Sequence, residues 1–241
     1  MNYLYDCTFD GLLTCIYEHY YNQKCEGIYC DESYQGNLLH DAITLSTDYS
    51  KSEKVYRAIY KKISPQALRH VHYAYLSNDY HKGTYILQYL VLGFKVGAFI
   101  DNYHAYEEVK GIHTLSRKVS FEAHRFLGLT RFSDIGHLLY AEITPDHDIL
   151  MLLADHFSNR YLHEKFIIHD TKREKALFYA DGHYEIQALN KKTKLLFSEK
   201  ELFYRELWKN YFKNIAIKER ENLRLQRQFM PNRYWKNLTE I

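Results

Sequence analysis

The chain has 241 residues, 46% hydrophobic and 26% charged, enough to bury a core and unlike a disordered sequence. Three prolines and ten glycines exclude collagen-like and low-complexity segments. The start, Met1-Asn2-Tyr3-Leu4-Tyr5-Asp6, lacks a signal peptide's basic flank and apolar core, and no run approaches ~18 uncharged apolar residues, so a cytoplasmic chain without a membrane span is expected.

Tyr3–Cys7 reads as a short strand with alternating faces. Asp6 or Thr8 can cap the helix that follows, where Phe9, Leu12, Leu13, Ile16 and Tyr17 recur at helical spacing and Asp10 suits the dipole of the first turn. Residues 24–50 are polar and mixed, consistent with short extended pieces. Thr47–Ile63 is expected to be helical, with Val55, Ala58, Ile59 and Ile63 on one face. Ser64-Pro65 opens a second helix of this block, with serine as N-cap and proline in the first turn, running to about Leu76. Gly83–Phe99 is the most apolar helix, and another runs from Tyr103 to about His124.

Beyond residue 125 the pattern shortens. Phe126–Phe132, His137–Thr144, Phe166–Asp170, Lys175–Ala180 and His183–Ala188 read as strands, with turns at Asp134-Ile135-Gly136 and Asp181-Gly182-His183. Pro145–Tyr161 reads as a helix opened by Asp146-His147-Asp148, and Ser198–Ile215 and Ile217–Gln228 as two more. The expected class is α+β: a small antiparallel sheet packed by helices, in one domain over 1–241, with a helical subdomain or insertion over about 47–125.

The net charge of +2 hides a gradient. Residues 1–50 carry eight acids against Lys24 alone, whereas residues 187–241 carry thirteen bases against six acids. Such asymmetry suits a polyanion on one surface and another partner elsewhere, or two ends that pack together. In the penultimate helix Leu207, Trp208, Tyr211 and Ile215 form an apolar stripe beside Arg205, Lys209 and Lys213; Arg220, Arg224 and Arg227 recur after it. Cations beside aromatics suit a phosphate backbone with unpaired bases, although Glu201, Glu206, Glu219 and Glu221 weaken the field. The 24 tyrosines can serve core, interface and stacking roles alike, but an AT-rich, codon-biased genome is the simpler account of them.

Cys7, Cys15, Cys25 and Cys30 lack the tight pair of a zinc or cluster site; the nearest spacing is Cys25-x4-Cys30. Buried free thiols fit better than a redox pair or a metal. His70/His72 and His163/His169 lack metal-ligand company at helical or hairpin spacing, so neither a metal nor a cofactor is expected. Phosphate-loop, dinucleotide, zinc-protease and nucleophile-elbow motifs are absent.

Six stretches together carry a resemblance: Tyr3-Leu4-Tyr5-Asp6 with Phe9-Asp10-Gly11-Leu12-Leu13; Glu122-Ala123-His124-Arg125-Phe126 leading to Thr130-Arg131-Phe132; Tyr140-Ala141-Glu142-Ile143 with Pro145-Asp146-His147-Asp148-Ile149-Leu150; His156-Phe157-Ser158-Asn159-Arg160-Tyr161; Leu207-Trp208-Lys209-Asn210-Tyr211-Phe212; and Met230-Pro231-Asn232-Arg233-Tyr234-Trp235-Lys236-Asn237-Leu238. In these the chain resembles the bacterial "probable DNA metabolism protein" family, a domain of unknown function encoded beside a radical-SAM protein of DNA modification or repair. In other members it is fused to a uracil-DNA glycosylase. The sequence ends at Ile241, directly after the last motif, so no glycosylase domain is expected in it.

The resemblance implies a DNA repair or modification setting, a radical-SAM partner, and DNA, single-stranded or damaged, as ligand. It supplies no reaction. Residues expected to meet nucleic acid are Arg125, Arg131, Arg160, Arg205, Lys209, Arg220, Arg224, Arg227, Arg233, Tyr234 and Lys236, with Trp208 and Trp235 nearby. If the chain is an enzyme, His124 with Asp10 or Glu122 are the catalytic candidates. The first reading is an accessory protein that binds DNA and acts with the radical-SAM partner; the alternatives are a nucleic-acid-processing enzyme and a non-enzymatic protein–protein scaffold. Pro231 ends the preceding helix, so the tail is expected to fold back with Trp235 buried and Arg233 and Lys236 reachable.

Overall fold

A computed structural model describes residues 1–36, 41–136, 138–190, 198–220 and 222–238, without the side chains of Lys218, Lys236 and Asn237. The expected His137 end of a strand lies outside the described residues. The fold is α+β, in two compact units, Met1–Ser120 and Phe121–Ile241.

The first unit is built on a parallel sheet. β1 (Asn2–Tyr5) lies between β2 (Gly27–Cys30) and β3 (Ala42–Thr44), with Asn2 level with Gly27 on one side and Ala42 on the other. Tyr3–Cys7 does not alternate as expected. Asn2–Tyr5 are all buried, because helices cover a parallel sheet on its faces. α1 (Phe9–Tyr21) makes the crossover, N-capped by Thr8, whose Oγ1 accepts from the Gly11 N–H at 2.9 Å. Thr8 Oγ1 in turn donates to Asp6 Oδ1 at 2.6 Å, and Thr47 Oγ1 donates to Asp6 Oδ2 at 2.7 Å. Partial burial pushes the Asp6 carboxyl up, but these hydrogen bonds outweigh it and hold the group below its ordinary value.

Four helices complete this unit. α2 (Tyr49–Ala58) is capped by Asp48 and continues as a π-turn over Ile59–Ile63, so residues 49–63 are helical as expected. α3 (Pro65–Tyr75) starts on the Ser64 cap, and α4 (Lys82–Val96) passes into a 3-10 turn, Gly97–Asn102. α5 (Glu107–Leu129) runs on past Ser120. Leu12, Leu13, Ile16, Ile28, Ile59, Val71, Ile86, Tyr89, Leu90 and Ile112 share one core, so the helices of the 47–125 segment bury their apolar faces together with β2 and α1. Lys82–Asn102 is the one stretch among the described residues long and apolar enough to cross a membrane. Ile86, Leu87, Tyr89, Leu90 and Gly93 are buried within the unit, as in a core helix.

The pairing of β1 with β2 sets Tyr5 level with Cys30. It thereby brings Cys7 to Cys30, and the two form a disulfide with Cα atoms 4.8 Å apart. This corrects the expectation of four free thiols. Cys15 and Cys25 are free and buried, and burial pushes the Cys25 thiol up to about 11, which keeps it un-ionised at neutral pH.

The second unit is a five-stranded sheet in the order β4-β5-β6-β7-β8, from Ser133–Asp134, Leu139–Ile143, Phe166–Asp170, Lys175–Ala180 and His183–Ala188. It is antiparallel except between β5 and β6, which run parallel because α6 (Leu150–Arg160) crosses between them. The β7–β8 hairpin turns on Asp181 (φ 52°) and Gly182 (φ 83°), the two left-handed positions that an Asp-Gly turn supplies. The expected strand over Phe126–Phe132 is instead the end of α5 as far as Leu129. Glu122, Ala123 and Phe126 are buried at helical spacing, in line with Val119, and a short apolar run does not distinguish helix from strand. α6 starts at Leu150 rather than Pro145, because Asp146–Asp148 form a pinned loop. α7 (Glu199–Ile215) and α8 (Leu223–Phe229) follow.

Two predictions come from the first unit. A Cβ on Gly83 would collide with the backbone carbonyl of Ile28, so Gly83→Ala should push α4 away from β2 and lower stability by about 1–3 kcal/mol in urea denaturation. Burial lowers the pKa of His72, and burial, then Lys24, lowers that of His19. Unfolded histidines take up protons near pH ~6.5 while these two resist. Stability is therefore fully present above that pH and is lost as pH falls. The urea midpoint should drop between pH 7 and pH 5, and His72→Gln should flatten the drop.

Candidate nucleic-acid interface

The tail of the chain is held by a buried carboxyl group. Glu122, on the apolar face of α5, is 4% exposed. Its Oε1 accepts from the Asp146 N–H at 2.8 Å and its Oε2 from the His147 N–H at 2.7 Å. The Tyr234 hydroxyl also donates to Oε1. Arg173 binds the other side of the same loop, donating to the carbonyls of Pro145 (3.3 Å) and Asp146, while its guanidinium meets the buried Asp170 carboxylate at 2.7 Å. Arg233 closes the cluster, 3.0 Å from Asp146 Oδ2, with its guanidinium 4.8 Å from the Tyr234 ring centroid. The Tyr234 ring meets Phe126 edge-on at 4.8 Å, and burial raises its phenol pKa.

The chain turns at Met230-Pro231 as expected, but the residue it buries is Tyr234, with Leu238 just past the 3-10 turn. Trp235 is half-buried and its indole N–H donates to the Met230 carbonyl at 2.7 Å. Tyr234 faces inward from the 3-10 turn and Leu238 from the extended residue that follows it, which leaves Trp235 at the rim.

The segment before this tail has the opposite character. α7 is tied to the sheet through its first two turns: Glu201 Oε2 accepts from the Asp134 N–H at 3.1 Å, and Arg205 bonds to Glu201 (2.7 Å) and to Ser133 Oγ. No described residue of α7 or α8 is buried. Trp208 stacks on Tyr211 with ring centroids 5.6 Å apart and planes 20° from parallel. Phe203, Tyr204, Leu207, Phe212 and Ile215 are exposed around them, as are Leu223, Leu225 and Phe229 on α8. Lys209, Lys213, Arg224 and Arg227 are exposed on these helices, and Arg220 is exposed in the 3-10 turn between them.

The other expected positions are dispersed. His124 and Arg125 are exposed on α5. Arg131 donates to the Gly128 carbonyl at 2.6 Å and so caps the end of α5. Arg160 is exposed at the end of α6, 5.8 Å over the Tyr161 ring. Asp10 belongs to the first unit, where it accepts from Ser52 Oγ. Glu122 and Tyr234 are committed to the buried cluster, so neither presents a free oxygen or ring to a ligand in this conformation. The side chain of Lys236 lies outside the described residues. His169, read as lacking company, is a core residue: its Nδ1 bonds to the Tyr140 hydroxyl at 2.6 Å and its Nε2 to the Leu189 carbonyl at 3.0 Å.

Sequence reasoning missed the role of Glu122, although an acid in line with Val119, Ala123 and Phe126 was its signal. It also missed that His70 has company from distant positions: Asp101 and His113 converge on it.

A family model, Domain of unknown function DUF4130, matches residues 80–240, more than half of the chain, and the chain belongs to that family. The match covers α4, α5, the second sheet and the terminal helices. No curated protein and no solved structure matches.

Removing the Glu122 carboxyl should orphan two backbone N–H groups and a phenol. Each buried unsatisfied group costs about 1–3 kcal/mol, so Glu122→Ala should destabilise by about 3 kcal/mol or more and release the tail to protease. Glu122→Gln, which keeps one acceptor oxygen, should cost less. Equal urea midpoints for Glu122→Ala and the parent would remove Glu122 from this role.

Proposed function

We propose that the chain is a nucleic-acid-binding accessory module that takes single-stranded DNA along α7 and α8. The observation that carries this reading is the exposed Trp208–Tyr211 stack flanked by Lys209 and Lys213. Exposed rings gain little from duplex DNA, whose base faces are already covered. Unpaired bases can stack on them, each such contact contributing about 1–3 kcal/mol. The cations of the same segment neutralise phosphates and release counterions. Glu199, Glu206 and Glu219 lie on the same stretch and moderate the field, which favours a ligand recognised by stacking as much as by charge.

The resemblance adds the setting. A DNA repair or modification context and a radical-SAM partner belong to this same proposal, with the radical-SAM protein supplying chemistry and this chain holding the strand. Co-purification with that neighbour tests the partnership independently of DNA.

Fluorescence anisotropy on a single-stranded oligonucleotide across a salt series tests the interface. Trp208→Ala should weaken binding by about 5-fold to about 100-fold, the equivalent of one lost stack. Arg224→Ala with Arg227→Ala should lower the salt slope by about 0.7 per lost phosphate contact. A duplex bound as tightly as the single strand, or a Trp208→Ala variant of unchanged affinity, would overturn the stacking reading.

A further inference from the structure

The first unit brings two imidazoles and a carboxylate together from three separate elements. His70 lies on α3, Asp101 in the 3-10 turn after α4, and His113 on α5. One ligand atom from each lies within 4.8 Å of the others. His113 Nε2 and Asp101 Oδ1 are 2.8 Å apart, and the His70 and His113 rings are 4.7 Å apart, centre to centre. We propose that His70, Asp101 and His113 bind a divalent first-row metal ion of the zinc type.

Chemistry and placement support this assignment together. Two histidines and one carboxylate are a donor set for zinc, or for another first-row ion that prefers nitrogen and oxygen, and three protein ligands leave a further position open. In a tetrahedral site, ligand atoms about 2.0–2.1 Å from the ion sit about 3.3–3.4 Å apart. Side-chain rotation would open the 2.8 Å His113–Asp101 pair and draw together the wider separations, which reach at most 4.8 Å. An ion pair uses only Asp101 and His113; the second imidazole adds a nitrogen donor at the same point.

The supporting groups are also those that orient metal ligands. The buried Tyr89 hydroxyl donates to Asp101 Oδ1 at 2.8 Å. His70 Nδ1 faces Ser116 Oγ at 3.0 Å, and its Nε2 faces the Gln66 side-chain amide at 3.1 Å. When one ring nitrogen takes the ion, the other keeps its hydrogen bond and fixes the ring, the role outer partners play around bound metals. Asp101 and His113 are each about three-quarters buried, their side chains 23% and 26% exposed, so an ion would be shielded yet able to enter.

The site rests on none of the residues of the nucleic-acid proposal, and its test is separate. The full-length chain, stripped with chelator and with the Cys7–Cys30 disulfide intact, is titrated with zinc by calorimetry and with cobalt(II) by absorption. One ion per chain is expected, with a cobalt spectrum free of thiolate charge-transfer bands. Tyr89→Phe, which removes the hydrogen bond to Asp101 Oδ1, should weaken zinc binding by about 10-fold, as for other outer partners. Asp101→Asn and His113→Ala should weaken it further, and circular dichroism checks that each variant is folded. His70→Gln provides a second ligand variant should one of these fail to fold. Absence of stoichiometric binding would overturn the proposal. So would thiolate bands, which with the disulfide intact place the ion at the free Cys15 or Cys25, or affinity unchanged in folded Asp101→Asn or His113→Ala, which places it elsewhere among the fourteen histidines.

Discussion

The second unit depends on one buried acceptor. A carboxyl group withdrawn from water must be hydrogen-bonded, and Glu122 meets that demand by drawing in two backbone N–H groups and the Tyr234 hydroxyl. Three pieces far apart in sequence are thereby fixed together: the end of α5, the loop before α6 and the tail after Pro231. Because the acceptor takes backbone donors of a loop, it sets the path of the main chain and not merely the position of a side chain. Arg173 takes the carbonyls of the same loop, so both kinds of backbone group are satisfied where neither helix nor sheet could do it.

The first unit is organised by close approach instead. Gly83 lets α4 sit against the Ile28 backbone, and Thr84 Oγ1 accepts from the Ile28 N–H at 3.2 Å. The parallel register then aligns the ends of β1 and β2, which places the Cys7–Cys30 disulfide. The same packing of α3, α4 and α5 that buries Tyr89 and Ile112 also sets His70, Asp101 and His113 around one point. A core formed for hydrophobic reasons carries a polar cluster on its flank.

Between the pinned loop and the pinned tail lie α7 and α8, none of whose described residues is buried. Their aromatic residues cost solubility if left uncovered, and a segment rich in exposed Trp, Tyr and Phe with interspersed cations is a surface suited to a partner with flat apolar faces and negative charge. The anchoring of α7 through Glu201 and Arg205, and of the tail through Tyr234, holds both ends of this surface to a folded body. A stacking platform needs such support, since ordering it on binding would cost entropy.

Most helices, the β6, β7 and β8 strands and the Asp181-Gly182 turn were legible in the residues alone, because these follow from local periodicity, caps and the left-handed positions that Asp-Gly favours. So was the helical spacing of aromatics and cations over residues 198–230. The rest came from packing. Whether Phe126 ends a helix or starts a strand depended on its burial partners, and the parallel pairing of β5 with β6 on a crossover that periodicity does not specify. Glu122 became a hub rather than an acid–base candidate because donors 24 and 112 residues away reached it. The disulfide between Cys7 and Cys30 and the meeting of His70 with Asp101 and His113 have the same origin. Spacing along a chain reports neighbours within one element, whereas groups brought in from separate elements meet only when the core has packed.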